Sequence, residues 1–415
     1  MITPYYGEFL LHPIPLEVSF GDCSNNCGYC FVKLNGSNID RSYSHNSLVN
    51  MLVRKDERKT LAAFLLAEGY PVLISNRSDP FSDSVWPRAK AALEIMTEMG
   101  IRAAFQTKGC PPERLDELLE IIDYPAHWYV TITTLAPEIS HTFEPGAPDP
   151  AARLAMVERL TSLGHAVAIG LNPCVPEWHG NNADDLLKCF SQAGAHGIWV
   201  EELHLSGDQK SRMPAKAQTK FGKALLERAM QKYMSPHILD YFLHLQDLAD
   251  QHQLDFQFQH HALPTNFFDP IRRLYPKTFP IYHDAIRFLH QKHDEDAVLD
   301  FGEFMEAFTS RTKFPESAFN LHNYVASTNR WDVLRNNALN LKSLTFQSLM
   351  KLFVLDERIK RSPANNSAFA MLIDDRDGQL IVDEKTRIPY LFFSKAGELY
   401  DPFMALSRTG YSLDD

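Results

Sequence analysis

Three of the six cysteines, Cys23, Cys27 and Cys30, fall within a single turn in the segment "FGDCSNNCGYCF" near the start of the chain. In a chain of 415 residues six cysteines are too few to staple a small secreted fold, and clustered thiols in a reducing compartment bind metal or do chemistry. The Cys-x3-Cys-x2-Cys spacing offers three thiolates to three irons of a 4Fe-4S cube and leaves the fourth iron open to a small molecule. Zinc competes for the same thiols. A structural zinc site takes four protein ligands, and His12 or His45 would complete the set.

Bulk composition narrows the classes. Hydrophobic residues make up 45% and charged residues 22%, as in ordinary folded proteins. A net charge of -11 provides no global positive field for phosphates, so nucleic-acid contact would need a local patch. No basic N-terminal region precedes an apolar run and no segment has the roughly 18 apolar residues that span a bilayer, so a cytoplasmic location without membrane association is expected.

The elements that must carry the cysteine turn alternate. "LEVSF" reads as a strand running into it; "PVLIS", "IRAAFQ", "WYVTITTL", "AVAIGL" and "GIWVEEL" read as five more. Helical stretches separate them, around Lys55 to Glu68, from Pro87, from Pro111 and Pro112, over Pro150 to Leu163, and over Ala183 to Ala193. In the third, Leu115, Leu118, Leu119 and Ile122 make one buried stripe. Such alternation predicts an α/β fold with a parallel sheet curling into a partial (βα)6 barrel. A helix from Pro236 leads to "LDFQFQ", a candidate seventh strand. Ligands gather at the carboxyl ends of such strands, where the cysteine turn, "SNRSDP", "TKGC" and "NPCVP" would all lie.

We place the barrel domain at 1–265 and a helix-rich, mixed α+β domain at 266–415, with a hairpin turning at Asp377-Gly378. A cap over the barrel mouth is the economical role for the second domain. A winged-helix DNA reader lacks the basic stripe it would need.

The segment "CSNNCGYCF" after the first strand resembles the cluster motif of the radical SAM superfamily, which favours an aromatic residue just before the last cysteine, here Tyr29. With "ISNRSDPF", "FQTKG", "VTITTL", "FEPGAPDPAARL" and "GLNPCVP" it is similar to the branch that includes spore photoproduct lyase and DNA repair photolyase-like proteins, over about residues 5–205. The resemblance implies that Cys23, Cys27 and Cys30 ligate a [4Fe-4S] cluster whose open iron chelates S-adenosylmethionine. Reductive cleavage would then give a 5'-deoxyadenosyl radical that abstracts hydrogen from a substrate.

It further implies that Tyr29 and Phe31 wall the adenine side, Ser78 and Asp79 meet the methionine end or ribose, Lys108 reaches the methionine carboxylate, Thr131 donates nearby, and Asn172 approaches adenine or ribose. Plainer readings stand beside these. Ser78 and Asp79 are also turn-formers before Pro80, Thr131 is also a strand former, and Tyr29 and Phe31 also serve as cover for the loop.

Spore photoproduct lyase has a hydrogen-donating cysteine two residues before the serine of "SNRSDP", and here that position is Asn76. Cys174 and Cys110 are the remaining catalytic thiol candidates, with a buried inert cysteine as the plainer reading of each and of Cys189. Of Glu201 and Glu202, which alternate along a strand, one can face the barrel interior. Adjacent His260 and His261 point opposite ways, against a shared metal.

The implied partners are an external flavodoxin- or ferredoxin-like electron donor and a substrate, with nucleic acid or a nucleotide open on resemblance alone. A radical SAM enzyme of small metabolites and a zinc-stabilised, non-catalytic binding module are the alternatives.

Overall fold

The computed structural model describes residues 2–4, 14, 16–30, 32, 44–58, 61–180, 182–201, 211, 236–258, 267, 269–275, 375–376 and 379–380. One sheet holds eight strands in chain order: β1 (Ile2–Pro4), β2 (Leu16–Val18), β3 (Val72–Ile74), β4 (Ala103–Thr107), β5 (His127–Thr131), β6 (Ala166–Leu171), β7 (Gly197–Val200) and β8 (Asp255–Phe258). β1 runs antiparallel to β2, and β2 to β8 are all parallel.

The fold is α/β, with the six expected strands in place and "DFQF" adding a seventh parallel one. Among the described residues the sheet does not close, because its order runs from β1 to β8 without pairing the two ends. The antiparallel β1 had no reading from sequence.

Helices fill the crossovers: α1 (His45–Val53), α2 (Leu61–Ala67), α3 (Trp86–Glu98), α4 (Pro112–Ile121), α5 (Pro137–Phe143), α6 (Pro150–Ser162), α7 (Pro176–His179), α8 (Ala183–Gln192) and α9 (Pro236–Gln251), with α10 (Asp269–Leu274) after β8. Proline stands in the first turn of α3, α4 and α6, where its missing N–H leaves no intrahelical bond unmade. The expected helix at 55–68 is divided into a 3-10 turn at Lys55–Glu57 and α2. Arg58 between them is left-handed at φ 51°. Of the expected stripe Leu115, Leu118 and Ile122 are buried, while Leu119 is half-buried at the edge of the core.

Parallel register sorts the side chains into two faces. Leu16, Val18, Val72, Ile74, Phe105, Trp128, Val130, Ile169 and Ile198 share the apolar face and belong to the buried core, where Trp128 stacks on Phe105 at 4.3 Å between ring centroids. The other face carries Glu17, Gln106, Tyr129, Thr131, Trp199 and Gln257, an unusual concentration of hydrogen-bonding groups for buried parallel strands. Gly170 makes room on it. A Cβ there would come within 2.2 Å of the Tyr129 phenol.

The expected C-terminal domain at 266–415 lies almost wholly outside the described residues. Of it, α10 is described, and so are β9 (Asp375–Arg376) and β10 (Gln379–Leu380), which pair antiparallel with Arg376 opposite Gln379, as the expected Asp377-Gly378 hairpin requires.

Candidate functional site

Because β2 to β7 are parallel, the segments that follow them emerge at one rim. The cysteine turn follows β2, residues 75–79 follow β3, Lys108 follows β4, Thr133 follows β5, Asn172 follows β6 and Glu201 follows β7. The sheet thereby brings together segments that are as much as 178 positions apart, from Cys23 to Glu201.

The cysteine turn is tied down on several sides. Cys30 N–H donates to the Cys27 carbonyl at 3.2 Å, Gly28 N–H to the Phe143 carbonyl at 2.7 Å, and Gly146 N–H to the Asn25 carbonyl at 2.9 Å. Ser84 Oγ donates to the Asp22 carbonyl at 2.8 Å. A Cβ on Gly146 would stand 2.7 Å from Asn25 Cα and 2.8 Å from the Ser24 carbonyl oxygen, so only glycine lets the two backbones meet. The "FEPG" stretch at the end of α5 is therefore the floor on which the turn rests.

Behind the turn sits a buried charge network. Tyr29 Oη donates to Glu144 Oε1; Lys108 Nζ donates to Tyr29 Oη at 2.9 Å and to Glu144 Oε1 at 3.1 Å. Arg153 Nη1 pairs with Glu144 Oε2 at 2.6 Å, and the same guanidinium donates to the Pro148 and Thr131 carbonyls and to Ser140 Oγ. The side chains of Glu144 and Arg153 are each 1% exposed, that of Lys108 18%. Burial alone would raise the Glu144 carboxyl, but Lys108 and Arg153 outweigh it and bring it down to about 2.

The thiols lie within this field. All three are free and partly exposed. Burial raises Cys27 to about 12, with the Lys108 ammonium pulling down and Glu144, Cys30 and Cys23 pushing up. Burial and then Asp79 raise Cys23, opposed by the Asn25 N–H that donates to its sulfur at 3.3 Å.

The remaining expected site residues divide. Ser78 is buried; its Oγ accepts from Phe20 N–H at 3.3 Å and lies 3.1 Å from Ser75 Oγ. The Asp79 carboxylate accepts from Phe81 N–H at 3.0 Å, Lys108 N–H at 2.7 Å and Thr107 Oγ at 3.0 Å, bracing the end of β3 against the end of β4. Of the Asp79 bonds only the one from Phe81 N–H is a local turn bond; those from Lys108 and Thr107 reach across to the end of β4. Thr131 is buried on the polar face beside Gly170.

Asn172 Nδ2 donates to Glu201 Oε2, and burial raises the Glu201 carboxyl to about 7 against that bond. Cys110 and Cys174 are buried within the hydrophobic core, and the Cys110 Sγ donates to the Pro111 carbonyl at 3.3 Å. Phe31, His12, Glu202, His260 and His261 lie outside the described residues.

Sequence reasoning passed over Glu144, Gly146 and Arg153, although all three stand in the segment "FEPGAPDPAAR". One signal was present. Arg153 shares the buried stripe of α6 with Met156, Val157 and Leu160, and a charge on a core stripe has to be paired.

The donor set suits two candidate metals. Among the described residues no three His, Cys, Asp or Glu side chains gather so as to hold one metal ion. Sulfurs bonded to a single zinc at about 2.3 Å must stand within about 3.8 Å of one another, whereas a cube gives each cysteine its own iron and wider spacing. Either arrangement would start from the three free thiols of this turn.

No protein-family model matches the chain. It is 24% identical over 197 residues to uncharacterized protein Rv2578c of Mycobacterium tuberculosis, covering 45% of this chain and 58% of that protein. It is 22% identical over 201 residues to uncharacterized protein ORF301 of Acidianus two-tailed virus, covering 45% of this chain and 65% of that protein. The match thus spans less than two thirds of either relative.

Among solved structures, a spore photoproduct lyase variant with dinucleoside spore photoproduct aligns at 14% identity and TM-score 0.41, over 59% of this chain and 76% of that one. Streptococcus suis SuiB bound to S-adenosylmethionine aligns at 12% identity and TM-score 0.39, over 58% and 48%.

Proposed function

We propose that the chain is a radical SAM enzyme in which Cys23, Cys27 and Cys30 hold a [4Fe-4S] cluster at the rim of the sheet. The observation that carries this reading is the placement of a three-thiol turn at the carboxyl ends of parallel strands, pinned to the "FEPG" floor with the Lys108 ammonium beside it. When bound, the cluster would pass one electron to S-adenosylmethionine, split its C5'–S bond and release a 5'-deoxyadenosyl radical able to take hydrogen from a substrate.

The chain's own residues supply binding and exclusion of water. Lysine has three N–H donors, and the bonds to Tyr29 and Glu144 use two, leaving one for an incoming carboxylate. Lys108 and Arg153 stand with the Glu144 and Asp79 carboxyls, and the more exposed lysine is the cation an incoming anion would reach. Tyr29, buried against Trp178 at 6.1 Å between centroids, closes the apolar side. Asn172 with Glu201 offers an amide and a carboxyl that burial favours in its neutral form, suited to a ribose or base edge.

Cys110 and Cys174 lie in the loops after β4 and β6 and Cys189 on α8, apart from one another along the fold, so the electron would come from an external donor of flavodoxin or ferredoxin type. The substrate would approach over the polar face carrying Gln106, Tyr129 and Trp199, with a nucleotide or another small hydrogen-bonding molecule as the class to try first. Anaerobic reconstitution with iron and sulfide, followed by dithionite and S-adenosylmethionine, tests the reading. About four irons per chain and formation of 5'-deoxyadenosine are expected. One zinc per chain with no deoxyadenosine would overturn it in favour of a zinc-stabilised binding module.

A further inference from the structure

We propose that Glu144 is a positioning residue that sets the charge behind the cysteine turn, holding Tyr29 and Lys108 in place and offsetting the lysine's positive charge. The inference rests on the cluster reading above.

Three observations carry it. First, Glu144 is one residue beyond Phe143, whose carbonyl receives Gly28 N–H at 2.7 Å, and two before Gly146, whose N–H reaches Asn25 at 2.9 Å. The carboxylate is thereby fixed to the backbone that carries the thiols. Second, one oxygen, Oε1, collects the Tyr29 hydroxyl, Lys108 at 3.1 Å and Thr133 Oγ at 3.4 Å, while Oε2 is held by Arg153 at 2.6 Å. Both oxygens are engaged, so Glu144 is committed to this geometry and is not itself free to take a substrate.

Third, the Lys108 ammonium lies 5.1 Å from the centre of the Tyr29 ring, so the residue between Cys27 and Cys30 is gripped by the lysine and the glutamate together. The charges of Lys108 and Glu144 act on Cys27 with opposite sign.

Opposed charges bonded to each other at 3.1 Å behind the turn predict opposed shifts in the potential of a redox centre held on it. Removing the negative charge, E144Q, makes addition of an electron easier. Removing the positive charge, K108M, makes it harder. The double variant E144Q/K108M removes one of each and should return close to the starting value.

The experiment is a dye-mediated redox titration of the reconstituted cluster, monitored by the electron paramagnetic resonance signal of its one-electron-reduced form, in the parent chain and the three variants. A change of about tenfold in the one-electron reduction equilibrium, about 59 mV, is expected for each single variant, upward for E144Q and downward for K108M. A merely structural Glu144 would lower cluster occupancy without moving the potential by the sign of the charge. Potentials unchanged, or shifted the same way in both single variants, overturn the proposal. Should E144Q fail to fold, K108M alone decides, since an unchanged or raised potential refutes the offset. Absence of any cluster in the parent chain would instead strike the cluster reading itself, and the two failures are thus distinguishable.

Discussion

Replacing Gly146 by alanine tests the claim that the "FEPG" floor shapes the cysteine turn. The new methyl would sit 2.7 Å from Asn25 Cα, 2.8 Å from the Ser24 carbonyl oxygen and 3.0 Å from the Asn25 carbonyl carbon. All three are backbone atoms, which cannot swing away as a side chain would. To reach ordinary contact near 3.4 Å the turn has to retreat by about 0.7 Å, which stretches the 2.9 Å bond from Gly146 N–H to Asn25. Overpacking of this kind costs about 1–3 kcal/mol and the weakened bond about 1 kcal/mol more. Stiffening of the unfolded chain returns about 0.4–1 kcal/mol. A net loss of about 2 kcal/mol corresponds to a fall of roughly 4–8 °C in melting temperature for a domain of this size.

Gly164→Ala is the matched control. Gly164 has φ +83° and nothing within 4 Å of the added Cβ, so its substitution strains the backbone without touching the turn. Thermal melts and alkylation rates of the turn cysteines, both in metal-free protein, separate the effects. Gly146→Ala should speed labelling of the turn thiols and lower iron uptake on reconstitution, while Gly164→Ala should lower the melting temperature alone. Parent-like melting, labelling and iron uptake in Gly146→Ala would refute the floor.

Asp79→Asn should destabilise the fold by about 2 kcal/mol, read as a lower denaturant midpoint at unchanged m, because its carboxylate receives Phe81 N–H, Lys108 N–H and Thr107 Oγ at once. A parent-like midpoint with weakened S-adenosylmethionine binding would show that Asp79 serves the ligand and not the brace. His196, both of whose ring nitrogens are shut away from solvent, is lowered to about 3 by burial with a smaller push from Arg273. The unfolded chain takes up this proton below about pH 6.5 and the folded chain does not. Stability should therefore fall by about 1.4 kcal/mol per pH unit between pH 6.5 and 3 on this account. His196→Leu should flatten that slope in a series of denaturant midpoints, and an unaltered slope would count against it.

Local pattern was enough for much of the architecture. Alternating apolar runs and proline-opened helices dictated parallel strands, because a chain that leaves one strand by a helix must return to the same edge before it can pair again. The spacing of Cys23, Cys27 and Cys30 marked the candidate site, because three thiols on one turn suit a metal centre. The short α5 gave no comparable signal. Seven residues carry too little periodicity to read, yet this helix delivers Phe143, Glu144 and, just beyond, Gly146 to the turn.

Tertiary structure alone decided the partners. Lys108, which the resemblance sets toward a methionine carboxylate, also meets a glutamate 36 positions away that is paired to Arg153. Asp79, open from sequence between a ligand contact and a turn-former, receives backbone and hydroxyl donors across β3 and β4. Spacing along a chain fixes which residues share a turn or a helix face, since those distances are set by backbone geometry. Which buried charge finds which counter-charge depends on how separate strands stack in register, and that is settled only when the sheet assembles.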